Sequence, residues 1–210
     1  MPLDFLTSAL VTLLVTLDPP GLAPIFLSVT RGMSAGERRQ VAVRACVIAF
    51  CIMAFFGIAG DVVLKALGVS LPAFRISGGL LLFWIAFEMV FERRNERKQA
   101  TAETAITQDH IRNVAAFPLA IPLMAGPGAL TAMMLLAGRA EGNPAMLTAL
   151  AAIAALVIAS CLVVFLLATP MARLLGVTGN VVLTRLLGVI LAALAVQFVI
   201  DGVRAAMRIG

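Results

Sequence analysis

Long apolar stretches alternate with short polar ones along the whole chain. A membrane-spanning helix needs about 20 mostly apolar residues, and six stretches meet that length. They are residues 4–30, 41–64, 72–91, 113–138, 146–168 and 183–204. The one strongly polar segment, 92–110, separates the third stretch from the fourth. The pattern therefore predicts an all-α membrane protein with six transmembrane helices.

Two of these stretches are interrupted by proline and glycine at corresponding places. Asp18-Pro19-Pro20-Gly21 interrupts the first stretch, and Ala125-Gly126-Pro127-Gly128 interrupts the fourth. The prolines at 20 and 127 are 107 residues apart in a chain of 210 residues. The ends of the two halves are also similar, since Leu67-Gly68-Val69-Ser70 recurs as Leu175-Gly176-Val177-Thr178. We interpret the chain as a duplicated three-helix unit.

An odd number of crossings in each copy places the starts of the two copies on opposite sides of the membrane. The copies, residues 1–91 and 113–210, are therefore expected to be inverted repeats joined by a polar linker over 92–112. Inverted repeats whose helices are discontinuous at matching Pro/Gly positions are typical of secondary transporters, which bind substrate near the midplane. The alternative is that both interruptions are ordinary proline kinks, which transmembrane helices tolerate.

Composition and charge agree with this prediction and add an orientation. Charged residues make up 13% of the chain, whereas a soluble domain contains roughly 25%. The formal charge of +5 lies in short segments between apolar stretches, so we interpret it as a topology signal and expect no nucleic-acid binding. Lys and Arg number 11 on the side of the linker and 5 on the other side. The positive-inside rule therefore places the linker in the cytoplasm and both termini outside.

The sequence offers little for enzymatic or metal chemistry. The only histidine, His110, lies in the linker, and the chain has no GxxxxGK[ST] loop. Cys46, Cys51 and Cys161 lie in apolar segments without metal-ligand spacing. We therefore expect no enzymatic activity, no cofactor and no bound metal, and we interpret the cysteines as apolar packing residues.

The two interruptions together form the candidate substrate site. At each of them one half-helix should end and a second should begin, leaving free backbone N–H groups near Gly21 and Gly128. These groups favour an anion, and carbonyl groups that end the first half-helix favour a cation. Neither interruption contains a basic residue, so an anion would be bound by backbone alone. The predicted binding residues are Thr16, Asp18, Pro19, Pro20, Gly21, Leu22, Ala125, Gly126, Pro127, Gly128, Ala129 and Thr131.

Asp18 is the one acidic residue near the predicted midplane, where ionisable groups are costly and often functional. It would hold a substrate ammonium or carry a coupling proton. The alternative is that it caps the N-terminus of the second half-helix, a position that favours aspartate. The two roles are compatible.

Four segments resemble the signatures of the MarC family of bacterial inner-membrane proteins. They are Asp18 to Thr30, Arg75 to Leu80, Pro118 to Gly128 and Gln197 to Gly202, and they follow the order that the family has. The resemblance implies six membrane helices and a location in the bacterial inner membrane. Through the SnatA-type branch of the family, it also implies transport of small neutral amino acids such as glycine or alanine.

Three functions stay open at this point. The leading hypothesis is a secondary active transporter of small neutral amino acids that works by alternating access, with a proton or sodium as candidate coupling ion. The second is a transporter or exporter of another small solute, and the third is a membrane scaffold or regulator without transport. The expected partners are the lipid bilayer and a small-molecule substrate, and the oligomeric state is left open.

Overall fold

The computed structural model describes residues 3–94, 98 and 114–209, with only the backbone described for 170–178, 180, 208 and 209. All regular structure in these residues is helical. The helices are α1 Leu3–Leu17, α2 Pro19–Val29, α3 Ala35–Ala66, α4 Leu71–Val90, α5 Ala115–Met124, α6 Pro127–Arg139, α7 Pro144–Leu166 and α8 Ala168–Ile209.

The helices group into five or six candidate membrane spans. Five stretches in the described part of the chain are long and apolar enough to cross a bilayer, with Leu3–Val29 counted as one of them. The pair α5 and α6, which is bent by 57°, makes a sixth if it is counted as a single span. The predicted all-α membrane protein is confirmed, and the number of spans is five or six according to how this bent pair is counted.

Local sequence signals determine where several helices begin. Ser34 and Glu37 form a reciprocal capping box at the start of α3, in which the Ser34 N–H donates to Glu37 at 2.8 Å. Ser70 and Asn143 cap α4 and α7, and each is followed by proline within the first turn. Gly68, with a φ of 70°, turns the chain between α3 and α4. These residues set the loop positions between spans.

The last helix is longer than the sequence predicts. α8 contains 42 residues, which is about 63 Å at the usual rise per residue, and only Val181–Met207 has the composition of a span. The stretch 175–178 lies inside this helix, although its sequence counterpart 67–70 belongs to the turn before α4. Similar sequence therefore takes different local structure in the two halves.

Packing partners nevertheless occur in matching pairs across the two halves. α3 packs against α5 and α6, and α7, which has the corresponding position in the second half, packs against α1 and α2. Likewise, α4 packs against α6 and α8 packs against α2. α4 and α8 share the most extensive interface, where a Cβ on Gly79 would lie 2.8 Å from the carbonyl O of Ala195. Small residues thus allow these two helices to approach closely.

The first interrupted span lies in the interior of the bundle. In its most apolar part, 67% of the residues of Leu3–Val29 are buried by the rest of the protein, compared with 22% for Ala35–Ala66. The interruption at Asp18 is therefore enclosed by other helices, whereas α3 exposes most of its apolar surface.

Candidate functional site

The first interruption consists of a single residue. α1 ends at Leu17, Asp18 adopts a left-handed conformation with φ 55° and ψ 65°, and α2 begins directly at Pro19. Pro19 and Pro20 occupy the first turn of α2, where a missing N–H removes no helical hydrogen bond. Within the motif Asp18-Pro19-Pro20-Gly21, only Asp18 thus leaves helical conformation.

The Asp18 carboxylate caps α2 and uses the backbone donors that were expected to be free. Its Oδ1 accepts the N–H of Gly21 at 3.2 Å, and its carbonyl O accepts the N–H of Leu22 at 3.2 Å. Asp18 is completely buried. A Cβ at Gly21 would lie 2.2 Å from Oδ2 of Asp18, so the carboxylate leaves room only for glycine. The capping role predicted for Asp18 is confirmed, and the donors near Gly21 are not available to a ligand in this structure.

The second interruption is longer and more irregular. α5 is a π-helix, whose turns are wider than those of an α-helix. Phe117 and Ile121 within it have extended backbone, and each precedes a cis-proline. The chain leaves helical conformation at Ala125, with ψ 53°, and at Gly126, with ψ 175°, before α6 begins at Pro127. The irregular backbone therefore includes Ala125 and Gly126 of the predicted motif and extends upstream of it to Phe117.

α6 begins without a side-chain cap. Its N-cap residue is Gly126 and its first residue is Pro127, so the first N–H groups of the helix belong to Gly128 and Ala129. A Cβ on Gly126 would lie 2.2 Å from the carbonyl O of Pro122, which explains the glycine at this close approach of two backbone segments. The second half-helix thus has the kind of N-terminus that attracts an anion.

A cavity of about 290 Å³ lies against this second interruption. Its size is at the lower end of the roughly 300–1,000 Å³ usual for small-molecule sites. Aliphatic and aromatic side chains of α4 face the uncapped start of α6 across it. The lining residues are Thr16, Leu81, Trp84, Ile85, Arg94, Lys98, Pro122, Leu123, Met124, Gly126, Pro127, Gly128 and Ala129.

The predicted binding residues divide into two groups with respect to this cavity. Thr16 and the second interruption line it, the latter through Gly126, Pro127, Gly128 and Ala129. The others do not line it, namely Asp18, Pro19, Pro20, Gly21, Leu22, Ala125 and Thr131. Leu22 and Ala125 are buried in packing, and the Thr131 methyl faces Gly78. Near the first interruption, the cavity wall is therefore formed by Thr16, two residues before Asp18.

Two basic residues from the start of the linker also face the cavity. The chain turns at Glu92, which has a φ of 63°, and Arg94 and Lys98 lie in the interior with 6% exposure each. Lys98 Nζ lies 3.3 Å from Asp18 Oδ2, and Arg94 Nη2 donates to the carbonyl O of Thr16. Tertiary structure therefore places two cations beside the backbone donors, which the residues of the two interruptions did not indicate.

Burial lowers the pKa of the Lys98 ammonium to about 8, the positive charge of Arg94 acts in the same direction, and Asp18 opposes both. From the sequence, Arg94 and Lys98 contribute only to the charge bias that indicates topology. The signal that could have found them is their spacing of four residues, since two such residues share one face of a helix. Their burial, however, depends on the turn at Glu92.

A second polar cluster joins the two halves away from the cavity. Arg139, at the end of α6, pairs with Asp201 of α8 and donates to Ser8 Oγ of α1 at 3.3 Å. Gln197 donates to the other carboxylate oxygen of Asp201 at 2.8 Å, and the Arg139 guanidinium lies 4.6 Å from the ring centre of Phe198. None of these residues lines the cavity. The last of the four signature segments thus contributes to helix packing.

Comparison with known proteins agrees with the signature segments. A family model described as MarC family integral membrane protein matches residues 3–207. The chain is 38% identical over 201 residues to a UPF0056 membrane protein of Aquifex aeolicus, which covers 93% of this chain and 91% of the relative. It is 35% identical over 206 residues to the UPF0056 inner membrane protein YhgN of Escherichia coli, covering 96% and 97% of the two chains. No solved structure matches the chain.

Proposed function

Because this chain belongs to the MarC family of integral membrane proteins, we propose that it is a secondary transporter of small neutral amino acids that works by alternating access in the bacterial inner membrane. The observation that carries the proposal is the cavity of about 290 Å³ at the uncapped start of α6, with Lys98 in its wall. The names of the relatives state no substrate, so the substrate class is argued from the chemistry of this cavity.

The cavity offers a partner for each end of an amino acid. The N–H groups of Gly128 and Ala129, at the positive end of α6, suit the carboxylate. The ammonium suits the Asp18 carboxylate, which lies behind Lys98. Leu81 and Ile85 leave an apolar wall for a short side chain. The cavity of about 290 Å³ has room for glycine or alanine together with ordered water.

The same proposal includes the inverted-repeat architecture. The matching packing partners of α3 and α7, and of α4 and α8, support two related units over residues 1–91 and 113–210. So does the departure from helical conformation at corresponding places, Asp18 and Ala125-Gly126. Most of the proposed cytoplasmic linker, 95–97 and 99–112, lies outside the described residues. Movement of one unit against the other would expose the cavity to each side of the membrane in turn.

The proposed orientation places both termini in the periplasm, and cysteine labelling tests it. In a background with the native cysteines replaced, Gly36→Cys lies on the linker side and should resist an impermeant thiol reagent in intact cells. Glu141→Cys, in the exposed turn between α6 and α7, should react. The reverse labelling pattern would contradict the orientation.

A second candidate function is transport or export of a small anion. It is favoured by the two cationic side chains, Arg94 and Lys98, in the cavity wall. An anion would use the start of α6 and these side chains without needing the Asp18 carboxylate.

Uptake by reconstituted protein tests the proposal and separates the two candidates. Proteoliposomes should take up labelled alanine saturably, glycine should compete with it, and an imposed proton or sodium gradient should drive accumulation. Competition by tryptophan measures whether the cavity limits the size of the substrate side chain. Protein-free liposomes and the Gly36→Ala variant, altered at a position where nothing lies within 4 Å of a new Cβ, are the controls. Alanine uptake no higher than in protein-free liposomes would reject the proposal, and uptake of lactate without alanine would favour the second candidate.

A further inference from the structure

The ion pair between Lys98 and Asp18 is buried on both sides. The side chains are 7% and 0% exposed, and Nζ lies 3.3 Å from Oδ2. A buried ion pair is weak evidence for stability because desolvation of both charges offsets much of their attraction. Lys98 lines the cavity and Asp18 lies directly behind it, so the pair is placed for a role in binding, and intramembrane charges are often functional.

The pair is held so that its partners can separate. Asp18 Oδ1 is fixed by the Gly21 N–H, and only Oδ2 faces Lys98. The distance of 3.3 Å is longer than the roughly 2.8 Å of a tight charge-assisted hydrogen bond. Lys98 itself lines the cavity together with Gly128 and Ala129. Rotation of its flexible side chain within the cavity would therefore turn the ammonium from Asp18 toward a carboxylate bound at the start of α6.

We propose, on the basis of the transport function proposed above, that Lys98 and Asp18 release each other when a zwitterionic substrate binds. Each side chain then pairs with the oppositely charged end of the substrate. In this structure the two side chains neutralise one another. When an amino acid binds, the Lys98 ammonium pairs with the substrate carboxylate and Asp18 Oδ2 accepts the substrate ammonium, while Oδ1 continues to cap α2. The summed charge of Lys98, Asp18 and substrate is zero before and after binding, and no buried charge is left without a partner. Arg94 keeps its bond to the Thr16 carbonyl throughout.

The consequence is selection for zwitterions over molecules that carry one of the two charges. Propionate, which is alanine without its ammonium, would pair with Lys98 and leave the Asp18 carboxylate unpaired. Ethylamine, which is alanine without its carboxylate, would do the reverse. An uncompensated buried charge is strongly unfavourable. Both analogues should therefore bind at least about tenfold more weakly than alanine.

Competition against labelled alanine on full-length protein in nanodiscs tests this exchange. Lys98→Met removes the ammonium at similar length, and Asp18→Asn removes the charge but keeps a residue that caps and accepts the left-handed conformation. Each variant should weaken alanine binding at least about tenfold. Relative to alanine, ethylamine should compete better in Lys98→Met, and propionate should compete better in Asp18→Asn. A purely structural role for the pair would not produce these opposite shifts.

The chain offers a matched control and clear contrary outcomes. Lys65 and Asp61 form an exposed pair of the same composition at 2.6 Å, so Lys65→Met and Asp61→Asn should change neither affinity nor selectivity. Alanine binding that survives unchanged in both Lys98→Met and Asp18→Asn would overturn the exchange and leave transport intact. So would wild-type protein that binds propionate as tightly as alanine, a measurement that needs no variant. Wild-type protein that neither binds nor transports any neutral amino acid would overturn the proposed function as well.

Discussion

The interruption at Asp18 and the interruption at Gly126 occupy corresponding places in the duplicated sequence but differ in what they present to a ligand. At the first, a buried carboxylate accepts the Gly21 N–H and pairs with Lys98. At the second, α6 starts at a glycine N-cap without a side-chain acceptor, and Gly128 and Ala129, which carry its first N–H groups, line the cavity. The Asp18 side chain therefore occupies the backbone donor at the start of α2 and places a negative charge there, whereas the start of α6 has no such side chain.

In the proposed function the two interruptions would divide the tasks of a single site. The second would supply backbone donors, and the first would supply the Asp18 carboxylate that pairs with Lys98. The far cluster around Arg139 and Asp201 joins helices of both halves without reaching the cavity. Substitutions at these three places should consequently differ in both size and kind of effect.

The largest effect is expected at the close approach of the second interruption. A Cβ on Gly126 would lie 2.2 Å from the Pro122 carbonyl O, a backbone atom that cannot move aside cheaply. Gly126→Ala should lower the stability of the folded protein by about 3 kcal/mol, measured by thermal unfolding in detergent. Gly36→Ala, at a position with open space, should leave the unfolding temperature near the parental value. A parental unfolding temperature for Gly126→Ala would show that this close approach is absent.

A smaller effect on stability is expected at the first interruption. Asp18→Ala and Asp18→Asn both leave Lys98 without its carboxylate partner, so the difference between them isolates the cap of α2 and the left-handed conformation of residue 18. Asp18→Ala should be less stable than Asp18→Asn by about 2 kcal/mol, because asparagine caps helices and tolerates this conformation whereas alanine does neither. Equal unfolding temperatures for the alanine and asparagine variants would contradict the capping role.

At the start of α6 the expected effect is on binding more than on folding. A Cβ on Gly128 would lie 2.4 Å from Cδ1 of Ile85, the far end of a flexible side chain. Gly128→Ala should therefore destabilise the protein by only about 1 kcal/mol but weaken alanine binding, because the new methyl group lies beside the N–H donors. Ile85→Val in the same chain should relieve the packing strain without restoring affinity. Parental affinity in Gly128→Ala would place the substrate elsewhere.

The smallest effect is expected at the far cluster. Arg139 and Asp201 are about a quarter exposed, at 24% and 28%, and this exposure to solvent limits how much their ion pair contributes to the free energy of unfolding. Asp201→Asn should cost about 1 kcal/mol and leave alanine affinity unchanged, since neither residue lines the cavity. A large loss of affinity in this variant would mean that the far cluster and the cavity are coupled.

The spans and the positions of the interruptions could be predicted because their signals are local. Apolar length sets the spans, and proline and glycine end or begin helices wherever they stand, as at Pro19 and Pro127. The capping role of Asp18 follows from the same short-range chemistry. Local similarity was a poorer guide at 175–178, which continues within α8 although 67–70 forms a turn.

By itself, the sequence determined the membrane class, the helix boundaries set by caps and prolines, and the family, because each depends on residues near one another in the chain. Tertiary structure decided which half-helix start faces a cavity and which charges are buried beside it. From the sequence alone, Arg94 and Lys98 are charges of the linker that indicate topology. In the folded protein, the turn at Glu92 brings them against Thr16 and Asp18, which are about 80 positions away in sequence. Burial and long-range pairing are properties of the packed bundle, and a linear pattern of residue types does not contain them.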